Sequence, residues 1–403
     1  MSRFLQLHTL TSYPAALLNR DDVGFAKRLP FGGAERVRIS SQCLKRHWRT
    51  ADDENALASI PTGDGTAPMS VRSRRTFEKH LFEPLKEAGV DEEMAEAATE
   101  EILKQVLPEG KKKAASKKDD DEEPEKTEFH TSQVTVIGAP EMAYFRQLAQ
   151  ELIGEADSVK SLRDAVKKSF KGQARKNLEA MKNGAGLDAA MFGRMVTGDV
   201  LARCDAAVHV AHAFTVHDGG FETDYFSAVD DLQDFGETGS GHINTSELTS
   251  GLFYGYIVVD VPLLVSNIEG CERQDWEKAD RRLAGEVVRR LIHLVATVSP
   301  GAKLGATAPY AHALLVLAEA GDRQPRSLAN AFLSPVHARG GLLGNTYRSL
   351  AAHLGGMDGM HGRNEDRVLA GIEPDEKLLE LVDEKIKVPE LALWAAGKVA
   401  GDA

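Results

Sequence analysis

Arg36-Val37-Arg38-Ile39-Ser40-Ser41-Gln42-Cys43-Leu44-Lys45-Arg46 is the stretch on which the fold turns. Basic and apolar side chains alternate from Arg36 to Ile39, which predicts a short strand with its arginines on one face. Ser40-Ser41 supplies a helix N-cap before Gln42–Thr50. On that helix Leu44 and Trp48 share one side, while Gln42, Lys45 and Arg49 share another at i, i+3 and i+7. Arg36, Arg38, Lys45, Arg46 and Arg49, with Ser40, Ser41 and Gln42 between them, concentrate donors around a strand-to-helix junction. A helix start offers N–H groups and a favourable dipole to phosphate. Arginine adds bidentate geometry, and serine and glutamine add neutral donors. The plainer reading of the same composition is a solvated basic patch with serine caps.

Outward from that junction, Phe4 to Leu10 reads as a strand, followed by a polar loop from Thr11 to Ala34 that ends in Gly32-Gly33. Residues 51–75 read as an irregular insertion, and Thr76 to Leu107 as helical. Gly110 to Lys126 joins a basic block to an acidic one, has nothing to bury and is expected to be disordered. Phe129 to Ile137 is strand-like and Met142 to about Gly154 helical. Val159 to Asn183 forms a basic helical element with eight Lys/Arg against Asp164 and Glu179. Val208 to His217 and Gly251 to Val261 are β-rich and flank a polar stretch, Asp218 to Ser250, too long for a tight turn. Trp276 to Val298 carries apolar residues at helical spacing, and His312 to Leu317 reads as a further strand. Strands separated by helices and long insertions predict an α+β sheet with elaborations.

The chain has 403 residues and a formal charge of −12, from 49 basic and 61 acidic side chains. Taken alone, that sum argues against a nucleic-acid partner. The distribution argues otherwise: residues 1–50 hold nine Lys/Arg and three Asp/Glu, whereas residues 358–403 hold six and eleven. Screening acts over roughly 8–10 Å at physiological salt, so a basic surface can work on an acidic protein. There is no apolar run of membrane-spanning length, and the N-terminus is too polar for a secretory signal core. Cys43, Cys204 and Cys271 are odd in number and far apart, which argues against a disulfide framework or a cysteine zinc site. The expectation is a cytoplasmic chain with no membrane partner.

Catalytic motifs are weak. His209 and His212, three apart on a strand, face opposite sides and do not converge on a metal with His242. Asp230-Asp231 and Asp21-Asp22 are adjacent pairs, which do not face each other. No nucleophile elbow, Walker loop or dinucleotide-binding loop is present. Nothing in the sequence asks for an enzyme.

Six blocks change the balance. Leu18-Asn19-Arg20-Asp21-Asp22, Phe31-Gly32-Gly33, Arg36 through Arg46, Ser227 to Leu232, and Thr249 to Tyr254, followed by Pro300-Gly301-Ala302-Lys303, run in one order. Together they resemble the CasC family, the repeated backbone subunit of the type I-E CRISPR complex Cascade; Gly193-Arg194-Met195 looks like a further element. The resemblance covers roughly residues 1–335. It implies an α+β fold with an RRM-like (ferredoxin-like) palm, a helical finger domain and an extended thumb loop. On that pattern the palm takes residues 1–50 and about 129–140, 205–217 and 251–335. The fingers take about 51–128 and 141–204, the thumb about 218–250, and a helical or irregular C-terminal segment about 336–403.

The resemblance also implies a non-catalytic scaffold with no metal or organic cofactor. Several copies line up along one CRISPR RNA with other Cascade subunits, pair it to target DNA and leave destruction to a recruited nuclease. Arg20, Lys27, Ser40, Gln42, Lys45 and Arg49 fall in the motif that grips the guide backbone, with Lys303 as a further contact. Met195 corresponds to an apolar wedge between bases, and Tyr225 and Phe226 to props at the kink. Lys160, Lys167, Lys168, Lys171 and Arg175 resemble a surface that attracts target duplex. Gly305 stands where a second basic residue is expected. The related type III backbone subunits are RNA endonucleases with a palm-loop aspartate, which makes Asp21 or Asp22 the rival, catalytic reading.

Overall fold

The computed structural model describes residues 2–63, 65–107, 129–181, 184–194, 200–201, 203–228 and 242–401, apart from the side chains of 226–228 and 242–244. Two compact units emerge: Met1–Leu57, Val208–Val261 and Arg281–Ala403 form the first, and Ala58–Ala207 with Pro262–Asp280 the second. No helix among the described residues is long and apolar enough to cross a membrane.

The first unit is built on a ten-stranded sheet. Its strands are β1 (Phe4–Ala16), β2 (Arg28–Phe31), β3 (Ala34–Ile39), β4 (Val208–Val210) and β5 (Ala213–Thr215). They continue with β6 (Gly220–Ala228), β7 (His242–Asp260), β8 (Ala313–Gly321), β9 (Asp366–Gly371) and β10 (Glu384–Lys385). The order across the sheet is β10-β9-β8-β1-β7-β5-β3-β2, with β4 and β6 also paired to β7. The longer helices described in this unit are α1 (Ser41–Arg49), α2 (Arg282–Thr297), α3 (Leu342–His361) and α4 (Val388–Ala400). Reduced to its spine, the chain runs β1–α1–β4/β5–β7–α2–β8 with spatial order β8-β1-β7-β5. That is the split βαβ pattern of a ferredoxin-like domain, so the expected fold class holds.

Alternation along the central strands sorts side chains to two faces. Thr9, Thr11, Phe253, Gly255 and Ile257 share the face that meets Leu44 and Trp48 of α1 and Val295 of α2. Against α2 lies α4; Gly285 permits the approach, since a Cβ there would stand 3.2 Å from the Ala396 carbonyl. Leu10, Tyr254, Leu317 and Leu369 share the opposite face with Tyr347, Leu350 and Leu354 of α3. On that face Gln6, His8, Glu319 and Arg367 form a buried polar row between β1, β8 and β9.

The second unit is mainly helical, around Phe77, Leu81, Ile102, Phe145, Leu162 and Phe170. Several expectations are corrected. The 129–140 strand, placed in the palm, is Thr135–Gly138 and pairs with Ser70–Ser73; Ile137 is buried in the helical core, which fixes it there. Trp276 does not open the long helix: it sits on a separate 3-10 turn, Arg273–Lys278, and α2 starts at Arg282. Residues Pro262–Asp280, placed in the palm, fall in the second unit. Segment 336–403 contributes β9 and β10 to the main sheet. Of the polar stretch 218–250, the described residues form a two-stranded antiparallel arm, β6 paired with the first half of β7 from Gly220↔Ser250 to Ala228↔His242. The charged 110–126 segment lies outside the described residues, as do Asp230 and Asp231.

Candidate nucleic-acid interface

Asn19 organises the basic junction. Its side-chain Oδ1 accepts from the Ser40 N–H at 2.9 Å, and its carbonyl accepts from the Lys27 N–H at 3.0 Å. The Lys27 carbonyl in turn accepts from Arg38 N–H at 2.8 Å. One short residue therefore ties the end of β1, the loop carrying Arg20 and Lys27, and the start of α1 into a single corner. Ser40 is the N-cap, its hydroxyl accepting from Cys43 N–H at 3.3 Å, as the Ser-Ser signal predicts. Trp48 is buried and Leu44 half-buried on the sheet side of α1, leaving Gln42 and Arg46 exposed and Lys45 and Arg49 half-buried. Lys303 reaches the same corner from far along the chain, because the Ala302 N–H donates to the Leu17 carbonyl at 2.9 Å.

The loop from Arg20 to Ala26 is closed by a bridge between those two residues. Asp21 Oδ1 accepts from the N–H groups of Val23, Gly24 and Phe25 at 2.8–3.0 Å. That oxygen holds the turn. Beside it opens a cavity of about 760 Å³ lined by Asp22, Phe25, Lys27, Arg28, Arg38 and Glu247 among others. Glu247, on β7, accepts from Ala26 N–H at 2.9 Å and pairs with Arg28. The Arg28 guanidinium also lies 3.6 Å from the centre of the Phe221 ring. The base of the two-stranded arm is thereby fastened to the basic corner, and Tyr225, farther out on β6, is 62% exposed.

Arg36 is not a surface donor. It is fully buried, and its guanidinium donates to the carbonyls of Phe31, Thr215 and Phe332 at 3.0–3.2 Å. Three backbone acceptors satisfy it, which makes it a brace for the sheet edge. Arg38 stays at the surface, bonded to the Arg28 carbonyl and to His212 Nδ1, each at 3.0 Å. Burial, together with Arg38 and Lys27, lowers the His212 pKa, so its ring accepts as a neutral imidazole. His209 stands opposite Val258 on β4, beyond which His212 lies. The side chain of His242 is outside the described residues.

In the second unit the described part of the basic element 159–183 is two helices, Val159–Phe170 and Gln173–Ala180, broken at Gly172. Leu162, Val166, Phe170 and Leu178 are buried, and Lys160, Lys167, Lys168, Lys171 and Arg175 are all exposed. Arg175 is paired with Glu179 at 2.9 Å and Lys167 with Asp164 at 3.6 Å. Arg194 is buried against Glu141, at 2.6 and 2.7 Å, and Glu141 also caps the Gly138 N–H. Met195 and the side chain of Phe226 lie outside the described residues.

The structure thus gathers Arg20, Lys27, Ser40, Gln42 and the approach to Lys303 at one corner, with Lys45 and Arg49 along the helix that starts there. Asn19 and the Arg28–Glu247 clasp escape sequence reading. Asn19 stands in the first of the quoted blocks, but nothing in the sequence tells that its side chain caps the Ser40 N–H, 21 positions on.

A model of the family described as CT1975-like protein matches residues 5–394. Among solved structures, a chain of a complex titled "CRISPR RNA-guided surveillance complex, pre-nicking" is 28% identical, with a TM-score of 0.77 and 98% of this chain and 100% of that one covered. A second, titled "CRISPR RNA-guided surveillance complex", is 24% identical with a TM-score of 0.66, covering 98% and 99%, and shares the fold. No curated protein matches.

Proposed function

The chain belongs to the CT1975-like protein family, and from that premise we propose that it is a non-catalytic backbone subunit of a CRISPR RNA-guided surveillance complex of the type I-E kind. Several copies assemble along the spacer of one crRNA in the cytoplasm, with other Cascade subunits. Each copy holds the guide by its phosphates and kinks it at intervals, so that base pairing chooses the target DNA and a separate nuclease cuts it. The corner organised by Asn19 carries this reading. It brings cations from residues 20–49 and from Lys303 beside a capped helix start, a geometry suited to phosphate and indifferent to base identity. The 28% identity to a surveillance-complex chain over almost its whole length supports the setting. A scaffold in place of an RNA endonuclease is supported at Asp21, whose Oδ1 already receives three backbone N–H groups; Asp22, on the cavity wall, is the aspartate that the rival reading would use.

The test is the salt dependence of guide binding. Lys45→Ala combined with Arg49→Ala is expected to weaken binding and to lower the slope of log affinity against log salt by about 1.4, about 0.7 for each phosphate-neutralising cation removed from a single strand. An unchanged slope removes α1 from the phosphate path.

A further inference from the structure

The segment from Ser299 to Ala311, which joins α2 to β8, is fixed at three points. The Ser299 hydroxyl donates to the Ala311 carbonyl and accepts from its N–H, each at 2.9 Å. Ala302 is bonded to Leu17, and Ala311 packs on the same cluster as Cys43 and Leu44 of α1. Between these points run a short helical turn, Leu304–Thr307, and Ala308, whose φ of +39° is left-handed for a residue that has a Cβ. Tyr310 N–H closes the bend by donating to the Ala308 carbonyl at 2.7 Å. A tethered loop that keeps a strained non-glycine residue is built for a shape, and such strain gathers at binding sites.

What that shape presents is apolar. Tyr310 is 74% exposed and Leu304 46%. A loop held this firmly has no need to leave an aromatic ring and a leucine in water for its own stability. Lys303 lies on the loop itself, and Ala311, next to Tyr310, packs on the cluster that holds Cys43 and Leu44 of α1, the helix whose other side carries Lys45, Arg46 and Arg49. A basic track beside an exposed aromatic ring is the arrangement that holds single-stranded nucleic acid, with phosphates on the cations and a base on the ring. Stacking on tyrosine accepts any base, as a guide of arbitrary sequence requires. A contact with another protein would use the apolar pair but gives no role to Lys303 beside it.

We propose that Tyr310, with Leu304 on the same loop, is a stacking platform for one unpaired base of the single-stranded RNA whose backbone lies along α1. The inference rests on the reading of the chain as a guide-binding subunit and adds a base contact to its phosphate contacts.

The experiment uses the complex assembled with its native partner subunits, carrying wild-type chain, Tyr310→Ala or Tyr310→Phe. Guide binding is measured across a salt series, with a fluorescent adenine analogue walked along the guide. Tyr310→Ala is expected to weaken binding about tenfold at every salt concentration, with an unchanged salt slope. It should also unquench the probe at one position per copy, and Tyr310→Phe should restore both. Because Tyr310 is exposed, the melting temperature should stay at the wild-type value. Wild-type guide binding by Tyr310→Ala overturns the inference, and loss of subunit assembly with RNA affinity intact reassigns the loop to a protein contact. If the wild-type assembly binds no RNA, the guide-binding reading itself fails, whatever Tyr310 does.

Discussion

Glu319→Ala lowers the unfolding free energy by about 3–5 kcal/mol, the cost of leaving buried charges without their partner. Glu319 lies in the middle of the buried polar row and receives four donors. They are His8 Nε2 at 2.9 Å, two Arg326 nitrogens at 2.6 and 2.9 Å, and Arg367 Nε at 2.6 Å. Arg367 is completely buried and also pairs with Asp358, and the His8 Nδ1 sits 2.9 Å from the Tyr254 hydroxyl. Gln6 and Tyr254 accept from the N–H groups of Arg326 and Leu328. The network therefore straps the chain after β8 onto the sheet. Removing the carboxylate takes both ion-pair hydrogen bonds from Arg326 and leaves the buried Arg367 Nε without its acceptor, although Asp358 still holds the other end of that guanidinium, and equilibrium denaturation reads the loss directly.

The same network sets an acid limit. Burial works to raise the Glu319 pKa, but hydrogen bonds from Arg326 and His8 outweigh it and hold the carboxyl below its ordinary 4.5. A depressed carboxylate stabilises the fold fully above that ordinary value and loses its contribution as pH falls below it. Burial lowers the His8 pKa from 6.5, so the unfolded chain takes up that proton first, and stability begins to fall below that pH. The wild type should weaken in two stages on acidification, and Glu319→Ala should lack the later one. A stability independent of pH between 7 and about 4 would contradict the protonation states assigned to the network.

Gly32→Ala costs about 2–5 kcal/mol, adding a left-handed backbone to a steric conflict that cannot relax. Gly32 has φ +62°, and a Cβ there would lie 1.5 Å from the Leu333 carbonyl oxygen. Leu333 follows Phe332, whose carbonyl accepts from Arg36, so the obstructing backbone is itself tied down. Gly33 is the control within the same turn: its φ is +77°, yet nothing lies within 4 Å of its would-be Cβ. Gly33→Ala should cost only the conformational penalty, about 1–2 kcal/mol. Equal losses in the two variants, measured by thermal or denaturant unfolding, would show that the Leu333 contact carries no weight.

Legibility in the sequence follows physical pattern closely. The Ser40 cap, the Leu44–Trp48 stripe and the strand after Phe4 were readable because each has a local chemical signature. Arg36 and Arg38 were readable as a pair on one face, but not as different in fate. Whether an arginine meets water or three carbonyls depends on Phe31, Thr215 and Phe332, the last almost 300 positions away. The two-stranded arm read as a loop because Phe221 to Tyr225 are exposed or half-exposed on both faces, so no alternation of hydrophobicity marks the strands. The strand at 135–138 was visible, but its partner at Ser70–Ser73 was not, since pairing is not written in either segment. At the candidate site the cations were legible as composition. Their assembly was not, because it passes through one Asn19 side chain and one backbone bond from Ala302 to Leu17.

The most direct measurement of the central claim is co-purification. The chain is expressed with its genomic neighbours, the assembly is isolated at moderate salt, and its nucleic acid is extracted and sized. The account predicts a single small RNA species of uniform length, depleted when Lys45→Ala and Arg49→Ala are introduced together. An assembly that purifies intact but empty of RNA would contradict it.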